Sequence, residues 1–145
     1  MMRVEPPFRP DCSSRYRQGV NALSAADAVL AATDPDSFRR WGGTFPAVDP
    51  LSDSYARELQ AAENASGADE SVLAGDARIG GVRTAILAWE FGFLGGSVGV
   101  GTAARVVAAV RRATANGMPL VAMPRSGGTR MQEGAPAFVQ MVAIA

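Results

Sequence analysis

From residue 53 onward the apolar positions first repeat at helical spacing, then run almost unbroken, then return to helical spacing. That succession predicts helices alternating with buried strands. Tyr55, Leu59 and Ala62 share one face of a helix predicted over Asp53 to Asn64, with Ser52 or Asp53 as its cap and Gly67 as its stop. Val72, Leu73 and Ile79 form a strand region that turns at Gly80-Gly81 into Thr84-Ala-Ile-Leu-Ala-Trp-Glu-Phe91. Two glycines between apolar runs suit a hairpin. The second run is nearly all apolar, as expected of a strand covered on both faces. Gly92 and Gly95-Gly96-Ser97 then make a loop into a long helix over Gly99 to Asn116. Its predicted apolar face is Ala103, Val106, Val107 and Val110, with Arg105, Arg111 and Arg112 facing out and Gly117 as C-cap. A strand over Met118 to Met123 completes a strand–helix–strand unit, for which a right-handed crossover is the rule.

The first 50 residues read differently. Six prolines break them into short pieces, and only Ser24 to Ala32 has the pattern of a helix, with Ser24 as N-cap and Asp27 at the third helical position. Residues 1–50 are therefore expected to be an extension or arm, mainly helical or irregular, and residues 51–145 a domain.

Composition narrows the chemistry. The chain has 14 Lys+Arg, 14 Asp+Glu and no His, and every basic residue is Arg. A net charge of zero argues against nucleic-acid binding through a broad basic surface. Without His or Lys, Ser-His-Asp and Cys-His catalysis, a Schiff-base lysine, the lysine of a P-loop and His-ligated metals all fall away. One cysteine, Cys12, allows no intramolecular disulfide and no Cys-rich zinc site, so no bound metal is expected. The N-terminus lacks the apolar core of a secretory signal, and the apolar stretches are too short and too often broken to span a membrane, which makes the cytoplasm the expected location.

Chemistry must then rest on backbone groups, Arg, carboxylates or a cofactor. The run Met118-Pro-Leu-Val-Ala-Met-Pro-Arg-Ser-Gly-Gly-Thr-Arg-Met-Gln-Glu-Gly134 is a strand that breaks at paired glycines before a helix. Such a turn lets backbone N–H groups approach a ligand without an intervening Cβ, in space the helix dipole makes electropositive. That is the construction of an oxyanion hole, with Gly127 and Gly128 as its donors. Upstream, Gly99-Val-Gly101-Thr-Ala-Ala104 formally matches the dinucleotide-binding G-x-G-x-x-G/A pattern, but no acidic residue ends the next strand, where Met123, Pro124 and Arg125 stand. The simpler reading is close packing of helix on strand.

The words Phe93-Leu-Gly-Gly-Ser97, Ser126-Gly-Gly-Thr-Arg-Met-Gln-Glu-Gly134 and Phe138-Val-Gln-Met141, in this order of elements, resemble the carboxyltransferase β-type subunits of biotin-dependent acyl-CoA carboxylases. The likeness begins near Ser37 and includes Asp53-Ser-Tyr-Ala-Arg-Glu-Leu59. It implies an α/β fold, a crotonase-like spiral of ββα units. It implies transfer of carboxyl from carboxybiotin to the α-carbon of acetyl-CoA or a related acyl-CoA, as in fatty acid biosynthesis, with Gly127 and Gly128 as the oxyanion hole and released biotin taking the α-proton. Biotin would ride on a separate carrier, and coenzyme A would enter as part of the substrate. The implied partners are a biotin carboxyl carrier or biotin carboxylase subunit, and either the missing carboxyltransferase half or further copies of the chain.

Gly95, Gly96, Ser97, Ser126 and Arg130 are candidate substrate-binding residues, although helix capping explains the first three equally well and Arg130 with Glu133 can pair on the surface or brace the loop; bracing is the better fit. Met131, Phe138 and Met141 read as core. Three departures from the family stand out: Pro124-Arg125 before Ser126, the lack of a four-cysteine ribbon, and an end inside an almost wholly apolar helix. The last leads to the expectation of an incomplete domain, inactive without a completing partner, with a non-catalytic remnant or assembly module as the alternative.

Overall fold

The computed structural model describes residues 23–42 and 52–144. Helix α1 (Ala25–Ala32) starts at Ser24, whose side chain accepts from the Asp27 N–H, and a short strand β1 (Arg39–Arg40) follows. Helix α2 (Asp53–Ser66) is capped by the Ser52 hydroxyl at the Tyr55 N–H, 3.2 Å, and stops at Gly67, which adopts φ +68°. Losing that cap in Ser52→Ala should lower stability by about 1 kcal/mol, read from urea unfolding.

Strands β2 (Val72–Ile79) and β3 (Val82–Trp89) pair antiparallel in a two-residue hairpin, Ile79 opposite Val82. Gly80 and Gly81 both take positive φ, 58° and 82°, the backbone that matches the twist of the strands they join. The Asp34 carboxylate accepts both of their N–H groups, at 2.9 and 2.8 Å. Helix α3 (Val100–Ala115) then returns the chain to β4 (Leu120–Met123), which runs parallel to β3. The sheet order is β1-β2-β3-β4. Helix α4 (Ala135–Ile144) lies against α3.

Strand alternation sorts the core onto two faces. Val72, Ala74, Ala85 and Leu87 pack with Trp41 and with Val106, Ala109 and Ala113 of α3, whereas Ala77, Ile86 and Ala88 pack with Phe38 and with Ala25 and Val29 of α1. Strand β3 is thus covered on both sides, as its sequence predicts.

Three expectations about side-chain placement are corrected. Val110 is 42% exposed, and the buried stripe of α3 runs through Thr102, Ala103, Val106, Ala109 and Ala113, a 3.6-residue repeat rotated from the predicted face. Arg105 is 8% exposed rather than facing out: it forks onto Asp69 at 2.9 and 3.1 Å and donates to the Val72 carbonyl at 3.0 Å. An arginine at the rim of a buried stripe keeps its stem in the apolar layer and its head on a carboxylate. Met131 and Phe138, read as core, are 84% and 69% exposed, because no element among the described residues covers that side of the final turn and α4; the side chain of Met141 lies outside the described residues.

Candidate functional site

Two glycine turns sit together at the carboxyl ends of the parallel strands β3 and β4, the place where open α/β sheets bind ligands. The first is a 3₁₀ turn over Leu94–Gly96; the second is the Ser126-Gly127-Gly128-Thr129 segment before a 3₁₀ turn over Met131–Glu133. Backbone bonds stitch them: Gly127 N–H to the Gly95 carbonyl at 2.9 Å, Val98 N–H to the Gly128 carbonyl at 2.8 Å, and Arg130 N–H to the Val98 carbonyl at 2.9 Å. Gly96, at φ +65°, lies so close to the Arg125 carbonyl oxygen that a Cβ there would overlap it. Gly128, at φ +108°, faces open space. Its N–H donates to the Ser126 hydroxyl at 3.1 Å, a rotatable partner that a stronger acceptor can displace.

Beneath the turns lies a polar cluster that the fold alone assembles. Arg130 is 2% exposed. Its guanidinium donates to both Glu70 oxygens, to Glu133 Oε1 at 3.1 Å, and to the Ser97 carbonyl and hydroxyl at 3.0 and 3.2 Å. Its plane lies over the Phe93 ring at 5.4 Å. Arg130 and Glu133 therefore brace the loop from the interior, and of the two placements open to that pair the surface one is not adopted. The guanidinium is committed to internal acceptors, so Arg130 acts on the turns from below.

Glu133 has a second task. Its Oε2 accepts from the Val100 N–H at 2.6 Å, placing a carboxylate on the positive end of α3, while Oε1 also accepts from the Tyr55 hydroxyl at 2.5 Å. Gly99, where the dinucleotide pattern begins, is glycine because a Cβ would come within 2.5 Å of Glu133 Oε1 and 2.7 Å of Arg130 Nη1. Close approach to this buried pair explains the pattern without a nucleotide. It also bears on Gly95, Gly96 and Ser97: the α3 N-terminus they precede already holds an internal anion. Ser71 adds its hydroxyl to the Ser97 carbonyl at 2.7 Å and pairs with Thr102 Oγ1 at 2.9 Å.

Burial opposes the charge of Glu70, but hydrogen bonds and charge from Arg130 outweigh it and hold that carboxyl below the usual range. Burial likewise opposes the Arg130 cation, and Glu70 more than compensates, raising its pKa further. Burial and the bond to Glu133 push the Tyr55 phenol up to about 12. Asp69 follows the pattern of Glu70: burial is overcome by Arg105 and Arg40, and its pKa falls.

Sequence reasoning found the two turns, Arg130 and its neighbour Glu133, but not Glu70, Tyr55, Ser71 or Thr102. The acidic pair Asp69-Glu70 just before a buried strand was a usable signal, since carboxylates at the mouth of an apolar element require cationic partners. Among the described residues no His, Cys, Asp and Glu cluster could hold a metal, and no helix is long and apolar enough to cross a membrane.

Comparison with known proteins agrees with this architecture. Residues 41–145 match the carboxyl transferase domain family. The chain is 58% identical over 115 residues to a probable biotin-dependent acyl-coenzyme A carboxylase beta3 subunit of Mycobacterium tuberculosis, covering 79% of this chain and 23% of that protein. It is 36% identical over 143 residues to the acetyl-coenzyme A carboxylase carboxyl transferase subunit beta of Rubrobacter xylanophilus, covering 94% of this chain and 56% of that one. The chain thus spans from about a quarter to about half of these relatives. Among solved structures, transcarboxylase 12S with methylmalonyl-coenzyme A and methylmalonic acid bound superposes with a TM-score of 0.68 at 22% identity, over 83% of this chain and 22% of that one, a likeness of fold. A Pseudomonas malonate decarboxylase hetero-tetramer in complex with malonate gives 0.60 at 26% identity, over 84% of this chain and 44% of that one. The crotonase-like arrangement expected from the glycine words is therefore the observed one in part, a four-stranded sheet with its helices. By the match over residues 41–145, a stretch that includes the Ser126–Gly134 segment of the braced turn, this chain belongs to the carboxyl transferase domain family.

Proposed function

We propose that this chain is the part of an acyl-CoA carboxyltransferase that carries an oxyanion hole, and that the whole transfers carboxyl from carboxybiotin to the α-carbon of acetyl-CoA or a related acyl-CoA. The observation that carries the reading is the Gly127-Gly128 turn. It is exposed and open above Gly128, whose N–H is held only by the Ser126 hydroxyl, while the Gly127 N–H is committed to the Gly95 carbonyl at 2.9 Å and anchors the turn, so Gly128 is the donor available to an oxyanion. A thioester enolate gains negative charge on oxygen as the α-proton leaves, and fixed N–H donors at that point lower the barrier because they need not reorganise. Gly95, Gly96, Ser97 and Ser126 are proposed to contact the acyl-CoA, with Arg130 holding Ser97 in register; Gly96 is buried and the Ser97 hydroxyl and carbonyl face Arg130, so Gly95 and Ser126 carry the more exposed part of that contact. The chain has no His and no Lys to accept the α-proton. The family resemblance assigns that proton to the released biotin, delivered on a separate carrier, and the donor set here fits an oxyanion with no metal required. The proposed setting is the cytoplasm, in complex with a biotin carboxylase or carrier subunit and with the remaining carboxyltransferase elements.

A second reading, an assembly module without the reaction, draws on the exposed apolar residues Phe138, Val139 and Val142 of α4. Carboxyl transfer from carboxybiotin to acetyl-CoA and propionyl-CoA, measured for the chain alone and mixed with candidate carboxylase subunits, separates the two. Gly128→Val is the informative variant, since a branched side chain cannot adopt φ +108° and must displace the donor. The expected loss is about 10²- to 10³-fold in kcat. Absence of transfer in every mixture supports the assembly module.

A further inference from the structure

We infer that Tyr55 is a positioning residue: from α2 it sets, through Glu133 and Arg130, how the Gly127-Gly128 turn sits on the Gly95–Ser97 turn. The inference deepens the proposed reading of that site and rests on it for its catalytic consequence.

The first argument is charge balance. The cluster holds two carboxylates, Glu70 and Glu133, against one guanidinium, Arg130. Glu70 takes the closest bonds from Arg130, together with the Ser71 N–H at 2.7 Å. Glu133 shares only one guanidinium nitrogen, so its charge depends on neutral donors: the Val100 N–H on Oε2 and the Tyr55 hydroxyl on Oε1. Phenylalanine at this position would fill the same space and leave a buried carboxylate one donor short.

The second argument is placement. Only Tyr55 and Ala62 of α2 are buried. The helix is tied to the Met131–Glu133 turn twice, by Tyr55 to Glu133 across 78 positions and by the Gln132 amide to Glu58 at 2.9 Å, and it packs on the Leu94–Gly96 turn. One surface helix therefore touches both halves of the opening. The Gly127 N–H makes one of the three bonds that fix the register between those halves, and the direction of the neighbouring Gly128 N–H depends on that register.

The test uses the whole 145-residue chain, Tyr55→Phe, Glu133→Gln and the double variant, followed by residue-resolved amide hydrogen exchange. In Tyr55→Phe the Gly127 and Arg130 amides should exchange about tenfold faster, the factor expected for loss of one hydrogen bond to a charged group, while Ile86 and Leu87 in β3 keep the wild-type rate. In the Glu133→Gln background the same substitution should add less than about twofold, because the partner charge is already gone. In the transfer assay kcat should fall about tenfold with KM little changed. Exchange at Gly127 and Arg130 equal to wild type, an equal acceleration at Ile86 and Leu87, or additive effects in the double variant would each overturn the inference. Amide exchange needs no turnover, so a chain that transfers no carboxyl removes the proposed reaction and leaves this test decisive.

Discussion

Arg130→Met is expected to cost about 3–5 kcal/mol of folding stability, because it strands Glu70 and Glu133 as buried carboxylates without their cation. The shape of the side chain is roughly kept, so the loss reports charge rather than a cavity. Its pH dependence identifies it. In the wild type Glu70 has a folded pKa below its ordinary value. Its stabilising contribution is therefore complete above the unfolded Glu pKa of about 4.3 and disappears as pH falls through the folded value. Without Arg130, only the Ser71 N–H and the Thr102 hydroxyl still oppose burial, the balance moves toward the protonated carboxyl, and the variant gains stability relative to wild type as the medium is acidified. Urea unfolding near neutrality and again below about pH 4 should show the gap between the two proteins narrowing in acid. A gap that stays constant would mean that Arg130 contributes packing and not charge.

Gly96→Ala should be the next most damaging change at the site. The residue has φ +65°, which costs an L side chain about 1–2 kcal/mol, and its new Cβ would overlap the Arg125 carbonyl oxygen, a backbone atom that cannot rotate away. The combined loss is expected at roughly 3 kcal/mol or more. Gly95→Ala is the matched control, since Gly95 has φ +64° but open space where its Cβ would go. The difference between the two variants isolates the close approach of the two turns from the cost of left-handed backbone. Equal losses would show that the turns can move apart, and the register argument for Gly127 and Gly128 would then fail.

The order of elements from α2 to β4, the hairpin at Gly80-Gly81, the cap at Ser24, the stop at Gly67 and the position of the Gly127-Gly128 turn were legible in the chain, whereas strand β1 was not and the α2 cap was open between Ser52 and Asp53. Each rests on short-range physics: a side-chain repeat, a cap that reaches three residues on, a glycine that admits positive φ. What escaped was any property requiring a partner distant in sequence. Arg105 reads as an outward cation until β2 brings Asp69 beneath it, 36 positions away. Met131 and Phe138 read as core because they are apolar, yet burial needs a second surface, and none among the described residues supplies one.

The same distinction governs the site. By itself the sequence determined where backbone donors can be exposed, since a glycine pair after an apolar strand is a local instruction. Only the tertiary structure decided what holds them: Glu70 reaches Arg130 across 60 positions and Tyr55 reaches Glu133 across 78. Buried charges are tolerated only in matched sets, and the members of such a set are chosen by which elements the hydrophobic core packs together, not by their spacing along the chain.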